Sequence, residues 1–157
     1  MAFLDMAFGF LSAFGSLEIA AALLLALAAD LWSVSPRRLA GRLPLACLAT
    51  GILEYLLKQL LPIPPVPASF ALTEDFAPPI AAGHSHPYPS KHAHRSTILL
   101  GAVYLLGTSS LWRAGVALAL LGLLASRVYL GTHWTSDVVG GALLGASAVL
   151  WAFGRED

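Results

Sequence analysis

Apolar runs of nearly membrane-spanning length constrain the fold of this chain more than any other feature. Five such runs cover residues 16–34, 43–61, 97–112, 114–129 and 138–153. A helix needs about 20 apolar residues to cross a bilayer. The chain is 57% hydrophobic and 11% charged, whereas soluble domains are about 25% charged. The sequence therefore predicts an all-α, polytopic membrane helix bundle of five transmembrane helices, forming a single domain over residues 1–157.

The N-terminal residues 1–14 are apolar and aromatic, but this stretch is too short to span a bilayer. We therefore expect an interfacial helix there. A secretory signal peptide is the competing interpretation, but such a signal begins with basic residues and this segment has none.

Basic residues set the expected orientation. Three arginines in segment 37–42 place the connection between the first two runs in the cytoplasm, by the positive-inside rule. Four other cationic residues then fall on the opposite side, facing the periplasm or the exterior of a bacterial-type plasma membrane: Lys58, Lys91, Arg95 and Arg127. Each could be an ordinary interfacial residue that reaches the headgroups. Together they suggest a phosphate site.

Polar residues suited to phosphate chemistry lie between the last two apolar runs, in segment 126–137. Asp137 follows His133 by four positions, so on a helix the two side chains would share a face. Such a carboxylate can fix the imidazole tautomer and leave a lone pair on Nε2 for a nucleophile or base. The planar fork of Arg127 matches phosphate oxygens, and a helix start near His133 adds backbone N–H groups. A structural His–Asp pair beside an interfacial arginine would have the same spacing.

The same segment matches the pattern S-R-x-x-x-x-x-H-x-x-x-D, and here the chain resembles the type 2 phosphatidic acid phosphatase superfamily of membrane lipid phosphatases. Residues 89–92, Pro-Ser-Lys-His, resemble the second motif of the family, P-S-G-H, with lysine at the glycine position. The first motif, K-x-x-x-x-x-x-R-P, is matched in part, because Lys58 is followed by Pro65 where the family has arginine. The resemblance extends from Lys58 to the fifth apolar run.

The resemblance implies an enzyme that removes the terminal phosphate from a lipid phosphate or pyrophosphate without a metal or other cofactor. Candidate substrates are phosphatidic acid, phosphatidylglycerophosphate and polyprenyl pyrophosphate. His133 would form a phosphohistidine, Asp137 would orient it, and His92 would protonate the leaving oxygen. Groups that would hold the phosphoryl oxygens are Lys58, Ser90 and Arg127, with Lys91 and then Arg95 as replacements for the missing arginine. The partners would be the lipid substrate and the bilayer, and zero net charge argues against nucleic acid.

The polar loop at residues 62–94 supports a second interpretation. It contains four of the five histidines: His84, His86, His92 and His94. Their His-x-His spacings would also suit zinc or another ion that binds imidazole. A membrane metal-binding or metal-transport protein is therefore the alternative function, although it would not need the Ser-Arg pair before His133. Sensitivity to a chelator separates the two.

Two packing features are also expected. Glu54 precedes Lys58 by one helical turn, which predicts an ion pair between them. Small residues at Gly140, Gly141 and Gly145 predict that the last helix packs closely against a neighbour.

Overall fold

The computed structural model describes residue 6 and residues 16–34, 37–67 and 86–154. Within these residues the chain forms five α-helices and no strand. They are α1 (Leu17–Val34), α2 (Arg37–Leu60), α3 (Lys91–Leu106), α4 (Ser110–Tyr129) and α5 (Thr135–Phe153). The predicted all-α membrane helix bundle is confirmed. The expected interfacial helix over residues 1–14 lies outside the described residues, apart from Met6.

The distribution of polar and apolar side chains is that of a membrane protein. Among the described helices, three are long and apolar enough to cross a bilayer: Leu39–Leu60 of α2, α4 and α5. Large apolar side chains point outward, as at Leu111, which is 84% exposed. Ionisable groups such as Asp137 and Lys58 are buried instead. This inversion of the soluble pattern is expected where lipid surrounds the protein.

The apolar core lies where α2, α3 and α5 cross. Its buried residues are Ala40, Leu43, Ala46, Ile98, Ala102, Ala148, Val149 and Ala152. Leu24 and Leu27 of α1 pack against this cluster. The predicted small-residue face of α5 packs on the beginning of α3, where a Cβ at Gly141 would collide with the carbonyl oxygen of Ser90. The glycines therefore bring α5 close to the segment that resembles the second motif.

Two predicted boundaries are wrong. The third run was expected to continue to Trp112, but α3 ends at Leu106 and Trp112 belongs to α4. The break occurs because the Ser109 hydroxyl caps α4 by accepting a hydrogen bond from the Trp112 backbone N–H at 3.2 Å. The arginine segment 37–42 was expected to be a loop, but it forms the first turns of α2, consistent with the high helix propensity of Arg, Leu and Ala.

The cationic residues separate to the two ends of the bundle. At one end, Arg42 Nη1 lies 3.5 Å from the carbonyl oxygen of Gly154, and Arg113 Nε donates to the carbonyl of Gly107 at 3.0 Å. The other end brings together the end of α2, the beginning of α3, the end of α4 and the beginning of α5. Both segments with motif resemblance lie at this second end.

Candidate active site

The turn between α4 and α5 places His133. The carbonyl oxygen of Arg127 accepts hydrogen bonds from the backbone N–H of Thr132 at 3.2 Å and from that of His133 at 3.3 Å. The Thr132 hydroxyl donates to the same carbonyl at 3.0 Å. Gly131 allows the chain to fold back, because its φ of 67° lies in the left-handed region that favours glycine. The end of α4 thus fixes the backbone of His133.

The His133 side chain lies beside the buried carboxylate of Asp137. Asp137 Oδ2 accepts a hydrogen bond from the Trp134 backbone N–H at 2.9 Å and lies 3.5 Å from His133 Nδ1. His133 precedes the first residue of α5, Thr135, so this pair crosses the beginning of the helix. The separation is longer than a typical N–H···O hydrogen bond, and catalytic hydrogen bonds are often long before substrate binds. The predicted proximity of the two side chains is found.

Ser90 joins the two segments with motif resemblance. Its backbone N–H donates to the carbonyl oxygen of Asp137 at 2.9 Å. Its hydroxyl accepts from the Ala93 backbone N–H at 3.4 Å, so Ser90 is the N-cap of α3. The buried N-cap therefore lies directly beside the beginning of α5. Two helix N-termini, both favourable for an anion, consequently meet at this end of the bundle.

Lys58 holds the backbone that leads into α3. Its Nζ donates to three carbonyl oxygens, those of His86 at 3.2 Å, Pro87 at 3.2 Å and Pro89 at 2.6 Å. An ammonium group has three N–H donors, so these contacts can use all of them. The predicted ion pair with Glu54 is wrong, because Glu54 pairs with His94 and the Lys58 ammonium is satisfied by the loop.

His94 lies in a buried polar contact with α2 that the sequence analysis did not predict. Its Nδ1 is 3.0 Å from Glu54 Oε2, and its Nε2 is 2.8 Å from the Thr50 hydroxyl. The side chain is 2% exposed. Because both ring nitrogens have partners within α2, His94 is not placed to donate a proton to a substrate. The signal that could have revealed this contact is the four-residue spacing of Thr50, Glu54 and Lys58 along one face of an apolar helix.

The remaining predicted site residues lie close to this junction. Lys91, His92 and Arg95 are half-buried in the first turns of α3, and Arg127 is buried in the last turn of α4. Of the four loop histidines in the metal-binding alternative, His84 lies outside the described residues. Within the part of the chain that the structure describes, no three His, Cys, Asp or Glu side chains are grouped as metal ligands would be.

Fold and site together define an integral membrane helix bundle with a histidine–carboxylate pair and several cationic side chains at one end. Residues 39–155 match the family model described as the PAP2 superfamily, and the chain belongs to that superfamily. The family predicted from the motifs is therefore confirmed.

Two known proteins are similar to this chain, one in sequence over a short stretch and one in structure. The undecaprenyl-diphosphatase of Sulfolobus acidocaldarius is 48% identical over 61 residues, which cover 38% of this chain and 28% of that protein. The crystal structure of Aquifex aeolicus LpxE superposes with a TM-score of 0.72 at 24% identity, covering 99% of this chain and 88% of that one. The second similarity concerns the fold.

Proposed function

We propose that this protein is a membrane lipid phosphatase that hydrolyses the terminal phosphate of a lipid phosphate or pyrophosphate through a phosphohistidine at His133. The observation that carries the proposal is the His133–Asp137 pair at 3.5 Å, joined through the Asp137 carbonyl to the N-cap of α3. A nucleophile beside an orienting carboxylate, at two helix N-termini that favour anions, suits attack on a phosphoryl group. Membership in the PAP2 superfamily supports the same reaction.

In the first step, His133 Nε2 attacks the terminal phosphorus, and the bond between phosphorus and the leaving oxygen breaks. Asp137 accepts from Nδ1–H and stabilises the imidazolium character that develops. His92 gives its proton to the leaving oxygen, so a lipid alcohol or lipid monophosphate departs. In the second step, water attacks the phosphohistidine, His92 takes the proton of that water, and inorganic phosphate leaves.

Positive charge and backbone N–H groups would hold the phosphoryl oxygens. Phosphoryl transfer depends mainly on positioning and on neutralising charge spread over three equatorial oxygens. Arg127, Lys91 and Arg95 supply cations near the junction, and the first turn of α3 supplies backbone donors beside Ser90. Lys58 could contact phosphate only if its ammonium released one of the three carbonyls it now binds. The proposed reaction requires no metal.

The substrate tail would lie in the bilayer against the exposed apolar faces of the helices, with its phosphate at the outer surface. The name of the Sulfolobus relative favours a polyprenyl diphosphate as one member of the substrate panel. Orientation can be tested in a background in which Cys47 is replaced by alanine. Pro67→Cys lies at the site end and Thr108→Cys at the opposite end, and both positions are exposed. An impermeant thiol reagent should label intact cells at Pro67→Cys alone, and the reverse pattern contradicts the proposal.

The decisive test of function is phosphate release by purified protein in detergent. The panel contains phosphatidic acid, phosphatidylglycerophosphate and undecaprenyl diphosphate, each assayed with and without EDTA. We expect release from at least one lipid, unchanged by EDTA and abolished by His133→Ala. Thr135→Ala, at the exposed beginning of α5, is the matched control and should retain activity. Release that persists in His133→Ala, or that EDTA removes, contradicts the proposed mechanism.

A further inference from the structure

A polar stripe on α2 contacts the segment that enters α3. Thr50, Glu54 and Lys58 follow one another at four-residue spacing, so they share one face of the helix. Thr50 and Glu54 bind the two ring nitrogens of His94, and Lys58 binds the carbonyls that precede Ser90. Glu54, Lys58 and His94 are all buried. A polar group inside a membrane bundle is costly unless its partners are present, so this set of contacts requires a reason.

Thr50, His94 and Glu54 are joined by hydrogen bonds and are here named the polar triad. The Thr50 hydroxyl has one proton, and its oxygen lies 2.8 Å from both the Ala46 carbonyl and His94 Nε2. If that proton goes to Ala46, Nε2 must donate, and Nδ1 and Glu54 share a second proton between them. If the proton goes to Nε2, His94 is neutral with its proton on Nδ1, directed at Glu54. In either state both ring nitrogens are satisfied, so the imidazole is held in one orientation.

The position of His94 matters because its backbone belongs to the first turn of α3. The His94 N–H donates to the Ser90 carbonyl at 3.0 Å. On the other side of this turn, a Cβ at Gly145 would lie 2.6 Å from the His94 carbonyl oxygen, so α5 packs tightly there. The turn is thus held between the glycines of α5 and the polar stripe of α2. Ser90, Lys91 and His92 all lie on it.

We propose that the polar triad of Thr50, His94 and Glu54 positions the first turn of α3 for the phosphatase reaction, with His94 as a positioning residue that does not contact substrate. The inference rests on the proposed function, and it adds three residues that lie outside the motif matches at His92, His133 and Asp137. A shift of about 1 Å in a reacting group can cost about a hundredfold in rate. Loosening the triad therefore lowers kcat through His92 and Ser90, and it changes KM much less than kcat.

Thr50→Val tests this with a matched control. The substitution keeps the shape of the side chain and removes the hydroxyl that binds Nε2. Thr97→Val makes the same change at a buried threonine of α3 whose hydroxyl has no hydrogen-bond partner among the described residues. We expect Thr50→Val to lower kcat about tenfold with KM within twofold, measured per folded molecule well below the unfolding temperature. Thr97→Val should stay within twofold of the parent in both constants.

Histidine variants separate positioning from simple packing. His94→Asn keeps a donor near the place of Nδ1 and can still bind Glu54, whereas His94→Leu fills the space without either bond. We expect the kcat of His94→Asn to be at least fivefold higher than that of His94→Leu. If Thr50→Val, His94→Asn and His94→Leu all retain kcat within twofold of the parent, the inference is overturned.

A readout independent of catalysis keeps the two proposals distinguishable. Amide hydrogen exchange of segment 86–96 should be at least tenfold faster in Thr50→Val than in Thr97→Val, because the triad no longer holds the turn. If the parent protein releases no phosphate from any lipid, the proposed function fails, and unchanged exchange in Thr50→Val then overturns the triad as well. An active parent with unaffected triad variants overturns the triad alone.

Discussion

Two segments meet at the candidate site, and they are held in different ways. Segment 126–137 is organised by contacts within itself: the Arg127 carbonyl binds His133, and Asp137 binds Trp134. Segment 86–94 is organised from a distance, because its side-chain partners are Lys58, Glu54 and Thr50 of α2. The first segment is therefore held mainly by contacts between residues close in sequence. The second depends on how α2 packs.

This difference indicates that the two segments have different roles in the proposed reaction. The locally organised segment carries the proposed nucleophile, His133, whose position must be accurate. Contacts between residues close in sequence fix this position at a small cost in loop entropy. The remotely organised segment carries the proposed acid and anion-binding groups. A backbone hydrogen bond from the Ser90 N–H to the Asp137 carbonyl connects the two. Substitutions in the two segments should therefore differ in how they change kcat, KM and the unfolding temperature.

After His133→Ala, which should abolish phosphate release, the largest effect is expected for His92→Ala. The proposed reaction needs His133 neutral and His92 protonated together, so the parent rate should rise and then fall with pH. The ascending limb reflects loss of the proton from His133, and the descending limb reflects loss of the proton from His92. His92→Ala should lower kcat about a hundredfold or more and remove the descending limb, as measured by a pH–rate profile. A variant that keeps both limbs and most of its rate would place the acid elsewhere.

Asp137→Asn tests the locally organised segment. The amide keeps the shape of the carboxylate but no longer stabilises an imidazolium, so we expect kcat to fall about a hundredfold. KM should change little, because Asp137 does not face the substrate in this account. Steady-state kinetics with Thr135→Ala as a control provide the measurement. If Asp137→Asn raised KM and left kcat unchanged, Asp137 would act in substrate binding.

Lys58→Met tests the remotely organised segment. If Lys58 holds the carbonyls of segment 86–89, its loss should lower both the unfolding temperature and kcat, the latter by about thirtyfold. If Lys58 is a phosphate ligand instead, KM should rise while the unfolding temperature stays constant. Thermal unfolding in detergent beside steady-state kinetics distinguishes these outcomes. Lys58→Arg, which keeps the charge but changes the donor geometry, should be intermediate.

Lys91→Ala tests whether the second segment compensates for the arginine that the first motif lacks at Pro65. Lys91 is half-buried at the beginning of α3, beside Ser90. We expect kcat/KM to fall at least tenfold, and Pro65→Arg in the same chain to restore part of it. Arg95→Ala should have the smaller effect, since Arg95 lies one turn farther along α3. If Lys91→Ala and Arg95→Ala both stay within twofold, neither residue replaces the missing cation.

The smallest effect is expected for Trp134→Phe. The Trp134 indole N–H donates to the Pro64 carbonyl at 3.1 Å, at an exposed position between the beginning of the polar loop and the beginning of α5. One exposed neutral hydrogen bond contributes little, so kcat/KM should fall by no more than about threefold. A much larger loss would show that the loop at residues 62–67 takes part in catalysis.

The locally organised part of the site was the part that sequence could predict. The four-residue spacing of His133 and Asp137 is a short-range signal, and the two side chains lie close together in the structure, as expected. The helix class and the close packing of the α5 glycines also follow from composition and spacing. The Gly107–Ser109 break was misplaced because the apolar pattern continues across it to Trp112.

The long-range contacts could not be predicted, for a physical reason. Glu54 has Lys58 one turn away, and local pairing rules favour that ion pair. Tertiary packing instead brings His94 to the carboxylate and loop carbonyls to the ammonium. The choice between these partners depends on the register of α2 against α3, which is set by the apolar core and by the α5 glycines and is not visible in either segment alone.

The central claim is that His133 becomes covalently phosphorylated, and rapid-quench labelling tests it most directly. Purified protein is mixed with the best lipid substrate carrying a labelled terminal phosphate, quenched under alkaline conditions that preserve phosphohistidine, and mapped by mass spectrometry. The account predicts phosphate on His133 within one turnover, none in His133→Ala, and accumulation in a variant that slows the second step. Turnover without label on His133, or label on another residue, would contradict it.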